Sequence, residues 1–271
     1  MSLAWLNGQP AHGLALDDRG LAYGDGLFET IRVVGGRPRL FERHLRRLAE
    51  GALRLGIPLD EAVVADELTA FAAQIDDGVC KLVLTRGRGR RGYAPPVPAE
   101  PTRLLTAAPA PAYPAAHAEQ GIRLYACETR LAEQPRLAGL KHLNRLEQVL
   151  ARSEWSDPAV AEGLMRDLTG RVIECVFSNL FLVRDGMLFT PSLARCGVAG
   201  VMRAEILARA QALGLPADEV DIAFDELLAA DEVFACNSLY GIWPVTALGE
   251  RRWPVGPLTR TLQGSLAELT N

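Results

Sequence analysis

Residues 172–190, which read VIECVFSNLFLVRDGMLFT, decide the fold class of this chain. Residues 172–183 are rich in β-branched, aromatic and other apolar side chains, a composition that predicts a strand. The Asp185-Gly186 dipeptide that follows is typical of a type I′ turn, in which both central residues take a positive φ. We therefore predict a hairpin in which residues 187–190 return along the strand.

The sequence on either side of this hairpin mixes helical and strand-like segments in no regular order. Before it, apolar residues recur at positions 45, 48, 52 and 55, which is helical spacing, and Asp60 is suited to cap a second helix. After it, Gly200 opens a helix that Gly214 stops. Because the order is not a regular βαβ series, we predict an α+β protein. The predicted helices cover residues 40–55, 60–74, 143–155, 200–213 and 258–269, and further strands cover residues 79–85, 102–106, 122–126 and 232–236.

A proline- and alanine-rich segment divides the chain. Residues 107–118 read AAPAPAYPAAHA, and three prolines among alanines between two strand-like segments indicate a semi-rigid linker. A chain of 271 residues is long enough for two domains. We place the boundary in this linker, which gives an N-terminal domain over residues 1–111 and a C-terminal domain over residues 112–271.

Composition argues against several classes of protein. The formal net charge of −4 disfavours a general nucleic-acid binder, and the N-terminal residues show neither a signal peptide nor a membrane span. The five cysteines form no CxxC pair, which is typical of buried thiols in a reducing compartment, so we expect a cytoplasmic protein. None of the four histidines has metal-ligand spacing with another, so no metal site is predicted, and His44 is expected to be structural.

Two charged residues stand in unusual places. Lys141 lies at the predicted start of a helix, where the helix dipole disfavours a cation, and it is either an exposed surface lysine or a functional amine. Glu174 lies within a predicted strand, where a buried carboxylate requires a partner. That partner is either an ordinary arginine or lysine or the protonated nitrogen of a bound heterocycle.

Two glycine-containing loops are also candidate sites. Residues 87–92, GRGRRG, match the GxGxxG pattern, but the YAPP that follows forbids the helix that a dinucleotide site needs. The arginines at positions 86, 88, 90 and 91 either belong to a solvated hairpin loop or present guanidinium groups to carboxylates. Residues 197–203 enter a helix whose N-terminus is either plain or an anion site.

Five segments, spread over nearly the whole chain, together carry a family resemblance. They are residues 18–30 (DRGLAYGDGLFET), residues 44–48 (HLRRL), Lys141, Glu174 with residues 178–181 (SNLF), and residues 200–203 (GVMR). In this order they resemble the branched-chain and D-amino-acid aminotransferase-like group, the fold type IV enzymes that use pyridoxal 5′-phosphate (PLP). The resemblance implies an α+β homodimer, with a smaller N-terminal domain, a larger β-rich C-terminal domain and the cofactor at their interface.

Within that group, residues 137–150 (LAGLKHLNRLEQVL), residues 85–93 and residues 236–238 are similar to the aminodeoxychorismate lyases. Cys175-Val176 stand where the aminotransferases usually carry Gly-Ser, which favours the lyase. The resemblance implies conversion of 4-amino-4-deoxychorismate, a small dicarboxylate, to 4-aminobenzoate and pyruvate in folate biosynthesis. A D-amino-acid or branched-chain aminotransferase of the same fold is the alternative enzyme. The non-enzyme alternative is a folate-pathway scaffold that has lost activity, which the presence of Lys141, Glu174 and Arg47 disfavours.

The resemblance also implies roles for individual residues. Lys141 is expected to hold PLP as a Schiff base and, once the substrate's amino group has displaced it, to remove the C4 proton before pyruvate is eliminated. Glu174 is expected to keep the pyridine nitrogen protonated, so that the ring accepts electrons. Arg91 and Tyr93 are expected to bind the substrate carboxylates. The other expected cofactor contacts are Arg47, Asn179, Ser238 and the backbone N–H groups of Val201 and Met202, and the roles of His142 and Asn144 stay open.

Overall fold

The computed structural model describes residues 3–270, and the contacts between residues divide the chain into two compact units. The first unit comprises Met1–Pro111 and Leu140–Asn144, and the second comprises Ala112–Gly139 and Arg145–Asn271. The predicted C-terminal domain included residues 140–144, which the structure instead groups with the first unit. Backbone hydrogen bonds account for this difference, because Phe28 N–H donates to the Lys141 carbonyl and Leu143 N–H donates to the Gly26 carbonyl.

The first unit contains an antiparallel sheet and three helices. The strands are β1 (Ala4–Leu6), β2 (Gln9–Pro10), β3 (Gly26–Val34), β4 (Arg37–Pro38), β5 (Asp77–Thr85) and β6 (Thr102–Ala108), and the helices are α1 (Arg19–Tyr23), α2 (Phe41–Leu55) and α3 (Glu61–Ala72). The strand order is β2-β1-β6-β5-β3-β4, and every neighbouring pair is antiparallel. The helices predicted over residues 40–55 and 60–74 and the strands predicted over residues 79–85 and 102–106 are confirmed.

The core of this unit forms because β3 and α2 each have one buried face. In β3, Leu27, Ile31 and Val33 are buried at alternate positions, as the two-residue period of a strand requires. On α2, Leu48 and Ala52 are buried four residues apart, which places them on one face of the helix. Polar residues that share these two faces are therefore carried into the core.

The second unit contains a larger mixed sheet. Its strands are β7 (Ile122–Leu131), β8 (Val160–Asp167), β9 (Val172–Cys175), β10 (Asn179–Arg184), β11 (Met187–Pro191), β12 (Ala217–Val220), β13 (Glu232–Asn237), β14 (Gly241–Leu248) and β15 (Arg251–Arg252). Its helices are α4 (Ala115–Glu119), α5 (Leu146–Arg152), α6 (Val201–Ala212), α7 (Phe224–Leu228), α8 (Pro257–Ser265) and α9 (Ala267–Thr270). The order is β12-β11-β10-β13-β14-β7-β8-β9, with β15 paired to β14, and the pairs β12-β11, β14-β7 and β7-β8 are parallel.

The hairpin predicted at Asp185-Gly186 is confirmed. The φ angles of these residues are 51° and 74°, as a type I′ turn requires, and β10 pairs antiparallel with β11 across the turn. The single strand predicted over residues 172–183 is wrong, because it is two strands, β9 and β10. They are separated by a tight turn in which Cys175 N–H donates to the Ser178 carbonyl at 2.7 Å.

The helix predicted from residue 143 is also wrong at its start, since α5 begins at Leu146. Residues 141–143 are instead tied to β3 by backbone hydrogen bonds, and His142 is bridged to Leu27. Lys141 is therefore not at a helix N-terminus. The last predicted helix is divided into α8 and α9.

Within residues 3–270, none of the helices combines the length and the apolar character that crossing a membrane would require.

Candidate active site

Lys141 lies in the first unit, fixed by its backbone against β3. Its carbonyl accepts the Phe28 N–H at 2.9 Å, and its Nζ lies 4.4 Å from the centroid of the Phe28 ring. The sequence contains only one other lysine, Lys81, whose Nζ lies 5.3 Å from the same ring and whose side chain is exposed. Two lysines are therefore the only side-chain amines that could form a Schiff base.

A buried carboxylate in the same unit joins β3 to α2. Arg47 Nε donates to Glu29 Oε1 at 2.8 Å, and Arg47 Nη2 donates to Glu29 Oε2. The Nδ1 atom of His44 lies 2.5 Å from Glu29 Oε2, and both residues are 1% exposed. Sequence reasoning missed Glu29, although its place between Leu27 and Ile31 in an alternating strand could have indicated that it is buried.

The charges in this group follow from burial and pairing. Burial raises the pKa of Glu29, but the charge of Arg47 and the contacts with His44 outweigh it and hold the pKa at about 2. Burial and the charges of Arg47 and Lys141 together lower the pKa of His44 although Glu29 raises it, so the imidazole is neutral near pH 7 and its Nδ1–H donates to the carboxylate. Glu29 is thus ionised and fixes the Arg47 guanidinium in one orientation.

Glu174 lies in β9 of the second unit and is 4% exposed. Its Oε2 accepts the Val198 N–H at 2.8 Å, and it acts electrostatically on Arg145, whose pKa burial lowers. A partner was expected for this carboxylate, and the structure gives it a backbone amide and the field of an arginine. The φ of Gly197 is +85°, and a Cβ there would lie 3.3 Å from Glu174 Oε2, so only glycine suits this position.

The loop before α6 is held by side-chain and backbone hydrogen bonds. Asn179 Nδ2 donates to the Val198 carbonyl at 2.9 Å, so Asn179 and Glu174 bind the two sides of one peptide segment. The loop also pairs with Gly139, which donates to the Gly197 carbonyl and accepts from Ala199 N–H. Asn179 was predicted from the sequence as a cofactor contact, but its hydrogen bond to the Val198 carbonyl was not predicted.

Helix α6 begins at Val201 after the N-cap residue Gly200, as predicted. Within residues 3–270, no side chain caps this terminus, so Val201 and Met202 lie in a first turn whose N–H groups have no intrahelical acceptor. Such a terminus suits an anion. Ser238, which is expected to contact the cofactor together with these N–H groups, lies partly exposed in the turn after β13.

The arginine-rich loop of the first unit is more ordered than a flexible hairpin. Arg86 binds both oxygens of Asp25, and Arg88 binds Asp17 at the surface. Arg19 donates to the carbonyls of Gly92 and Tyr93 at 3.0 and 3.1 Å. Two of the four loop arginines are therefore already paired with carboxylates.

The two expected substrate residues lie at the exposed end of this loop. Tyr93 is 87% exposed, and its ring centroid lies 5.5 Å from that of Tyr23. Arg91 is exposed, and among residues 3–270 neither Arg90 nor Arg91 forms an ion pair. Arg90 and Arg91 are therefore the loop arginines that remain available to bind a substrate carboxylate.

These residues provide the chemical groups that PLP requires. They include an amine beside an aromatic ring, an oriented guanidinium group, a buried carboxylate and an uncapped helix N-terminus. The described part of the chain contains no cluster of three or more His, Cys, Asp or Glu residues able to hold a metal.

The chain is similar to several known proteins. Residues 26–248 match the family model described as amino-transferase class IV. The chain is 39% identical to an aminodeoxychorismate lyase of Vibrio harveyi over 97% of this chain and 98% of that protein. It is 63% identical to the crystal structure of a 4-amino-4-deoxychorismate lyase from Pseudomonas aeruginosa, with a TM-score of 0.97 over 98% of both chains. It is 26% identical to a branched-chain amino acid aminotransferase of Escherichia coli, with a TM-score of 0.86 over 99% of this chain and 94% of that one.

Proposed function

The chain belongs to the amino-transferase class IV family, and from that premise we propose that it is a PLP-dependent lyase. The reaction is conversion of 4-amino-4-deoxychorismate to 4-aminobenzoate and pyruvate, which supplies a folate precursor. The observation that carries the proposal is the 63% identity to a 4-amino-4-deoxychorismate lyase over 98% of both chains. Aminotransferases of the family are more distant, at 26% identity for the Escherichia coli structure.

Lys141 is proposed as the attachment point of PLP and as the catalytic base. It is one of only two lysines, and unlike the exposed Lys81 it is held by backbone hydrogen bonds to β3. PLP supplies an electron sink for the bond-breaking step. The Lys141 amine, once free of the cofactor, accepts the proton from C4 of the substrate, and the enolpyruvyl oxygen then leaves at C3.

Glu174 is proposed to face the pyridine nitrogen and to hold a proton there. A buried carboxylate stabilises a cationic partner strongly, because few water molecules compete for it. The Val198 N–H fixes one of its oxygens. Glu174 therefore presents its charge in a fixed direction.

Two sets of groups are proposed to bind the ends of the ligands. Arg47 and the N–H groups of Val201 and Met202 bind the cofactor phosphate, with Ser238 as a further donor, while Asn179 acts through Val198. Arg91 and Tyr93 bind the substrate carboxylates.

A homodimer in a reducing compartment such as the cytoplasm is also proposed. Leu146, Val149 and Leu150 of α5 are 76%, 61% and 58% exposed and lie at helical spacing, so they form one apolar stripe of the kind that marks a protein interface. All five cysteines are free and buried, as expected where thiols stay reduced.

Product analysis tests the proposed reaction. With PLP bound, the protein should form equal amounts of 4-aminobenzoate and pyruvate from aminodeoxychorismate without an added oxo acid. Transfer of the amino group from D-alanine or leucine to 2-oxoglutarate, in the absence of 4-aminobenzoate formation, would instead establish the aminotransferase.

A further inference from the structure

A second buried glutamate lies in the same unit as Glu174. Glu162 of β8 is completely buried, and its carboxylate accepts three hydrogen bonds. The donors are Gly163 N–H to Oε1 at 3.0 Å, Ser178 Oγ–H to Oε2 at 2.8 Å and the longer Phe177 N–H to Oε2 at 3.4 Å. Within residues 3–270, no lysine, arginine or histidine forms an ion pair with Glu162.

The hydrogen bonds of Glu162 continue into an aromatic cluster. Tyr240 Oη lies 2.6 Å from Ser178 Oγ, and its ring stacks on Trp243 with the centroids 3.6 Å apart. Burial raises the pKa of Glu162 to about 8, so the residue carries a proton over most of the neutral range. A protonated Glu162 can donate to Ser178 Oγ, and Ser178 can then donate to Tyr240. The serine is satisfied in either protonation state of the acid.

The residues held by Glu162 connect the two side chains that bind Val198. Residues 176–178 form the turn between β9, which carries Glu174, and β10, which begins with Asn179. Asn179 binds the Val198 carbonyl, and Glu174 binds the Val198 N–H. A shift of this turn would therefore move both contacts of one loop residue.

From this geometry we infer that Glu162, acting through Ser178, is a positioning residue that fixes the orientation of the Glu174 carboxylate. The inference rests on the proposed function, in which Glu174 faces the pyridine nitrogen. Tyr240 also hydrogen-bonds to Ser178, and its effect on the orientation of Glu174 is expected to be smaller than that of Glu162. Glu162 need not touch cofactor or substrate.

The chain contains a closely matched control residue. Glu232 of β13 is also buried and also accepts two backbone N–H groups and one hydroxyl, from Leu258, Thr259 and the Thr259 side chain. These donors belong to α8, and none of them belongs to the turn between β9 and β10. Glu232→Leu therefore removes the same number of buried hydrogen bonds without altering the turn.

The experiment uses the holoenzyme loaded with PLP that carries ¹⁵N in its ring, and compares Glu162→Leu, Ser178→Ala and Tyr240→Phe with Glu232→Leu. The ¹⁵N shift reports whether the ring nitrogen is protonated, and hydrogen exchange of the Val198 amide reports its bond to Glu174. We expect Glu162→Leu and Ser178→Ala to move the ¹⁵N signal towards the unprotonated ring and to speed Val198 exchange about fivefold or more, the effect of losing about one hydrogen bond. Tyr240→Phe should move both in the same direction by less, and Glu232→Leu should move neither.

If Glu162→Leu and Ser178→Ala behave like Glu232→Leu in both measurements, the inference is overturned. If Glu162→Leu does not fold, Ser178→Ala decides it by the same two measurements. A wild-type protein that does not bind the labelled PLP would contradict the proposed function, while Val198 exchange would still decide whether Glu162 positions this contact.

Discussion

Replacing Glu29 by glutamine removes the charge of the carboxylate that Arg47 and His44 share. Glu29 and His44 are 1% exposed, and the Arg47 side chain is 13% exposed, so water can replace little of the lost interaction. Breaking one partner of a buried ion pair costs about 3–5 kcal/mol in the free energy of unfolding. The pKa of Glu29 gives a similar free energy. Holding it at about 2 instead of its ordinary value of 4.5 corresponds to about 3 kcal/mol of stability.

The assay is urea unfolding of the cofactor-free protein at pH 7, followed by circular dichroism. The matched control is Asp17→Asn, which removes an exposed arginine–carboxylate pair with Arg88 and should change stability little. Because the folded-state pKa of Glu29 is depressed, its contribution is complete above about pH 4.5 and is lost as the pH falls towards 2. Between those values the wild type should lose more stability than Glu29→Gln. Equal effects of the two substitutions at pH 7 would show that the buried Glu29 pair stabilises the fold no more than an exposed pair does.

Three further predictions concern the cofactor, the substrate and the dimer. Glu174→Gln should still bind PLP but turn over about 30- to 150-fold more slowly, the rate equivalent of a lost charge-assisted contact of about 2–3 kcal/mol, and wild-type rates would make Glu174 merely structural. Arg91→Ala should raise the KM for aminodeoxychorismate about tenfold or more with a normal PLP spectrum, whereas Arg90→Ala should act less; equal small effects in steady-state assays would identify a solvated loop. Val149→Glu places a charge in the apolar stripe of α5, so light scattering should detect monomer where the wild type is dimeric, and an unchanged mass would place the interface elsewhere.

The parts of the fold that sequence reasoning predicted correctly depend on local chemistry. The Asp185-Gly186 turn needs two residues that tolerate positive φ, and Asp60 caps α3 with its own side chain. Both signals are contained within a few residues. The same is true of Gly200 before α6.

The parts that it missed depend on pairing between distant residues. Lys141 was placed at a helix start, but Phe28, far away in the chain, holds it in an extended segment. Strand β14 carries Pro244 in its interior and gave no clear strand pattern, yet it lies between β13 and β7 in the sheet. These contacts join segments that are far apart in the chain, so the residue pattern within one segment does not predict them.

Some of the candidate site residues could likewise be predicted from the sequence, and others could not. Lys141 and Glu174 stood out by their places in the sequence, and the family resemblance then assigned them roles, whereas their surroundings were not foreseen. Glu162 belongs to none of the motifs used, and its burial follows from a parallel pairing of β7 with β8 that the sequence did not reveal. Glu29 was within a recognised motif, but its partners on α2 became visible only when β3 and α2 were packed together.

The most direct test of the central claim is to locate the covalent link between PLP and the protein. Borohydride reduction should fix the cofactor to one lysine, and peptide mass spectrometry can distinguish the two lysines in the sequence. We expect the label on Lys141, loss of the visible absorbance band on reduction, no turnover by Lys141→Ala and full turnover by Lys81→Ala. A label on Lys81, or a colourless protein after incubation with PLP, would contradict this expectation.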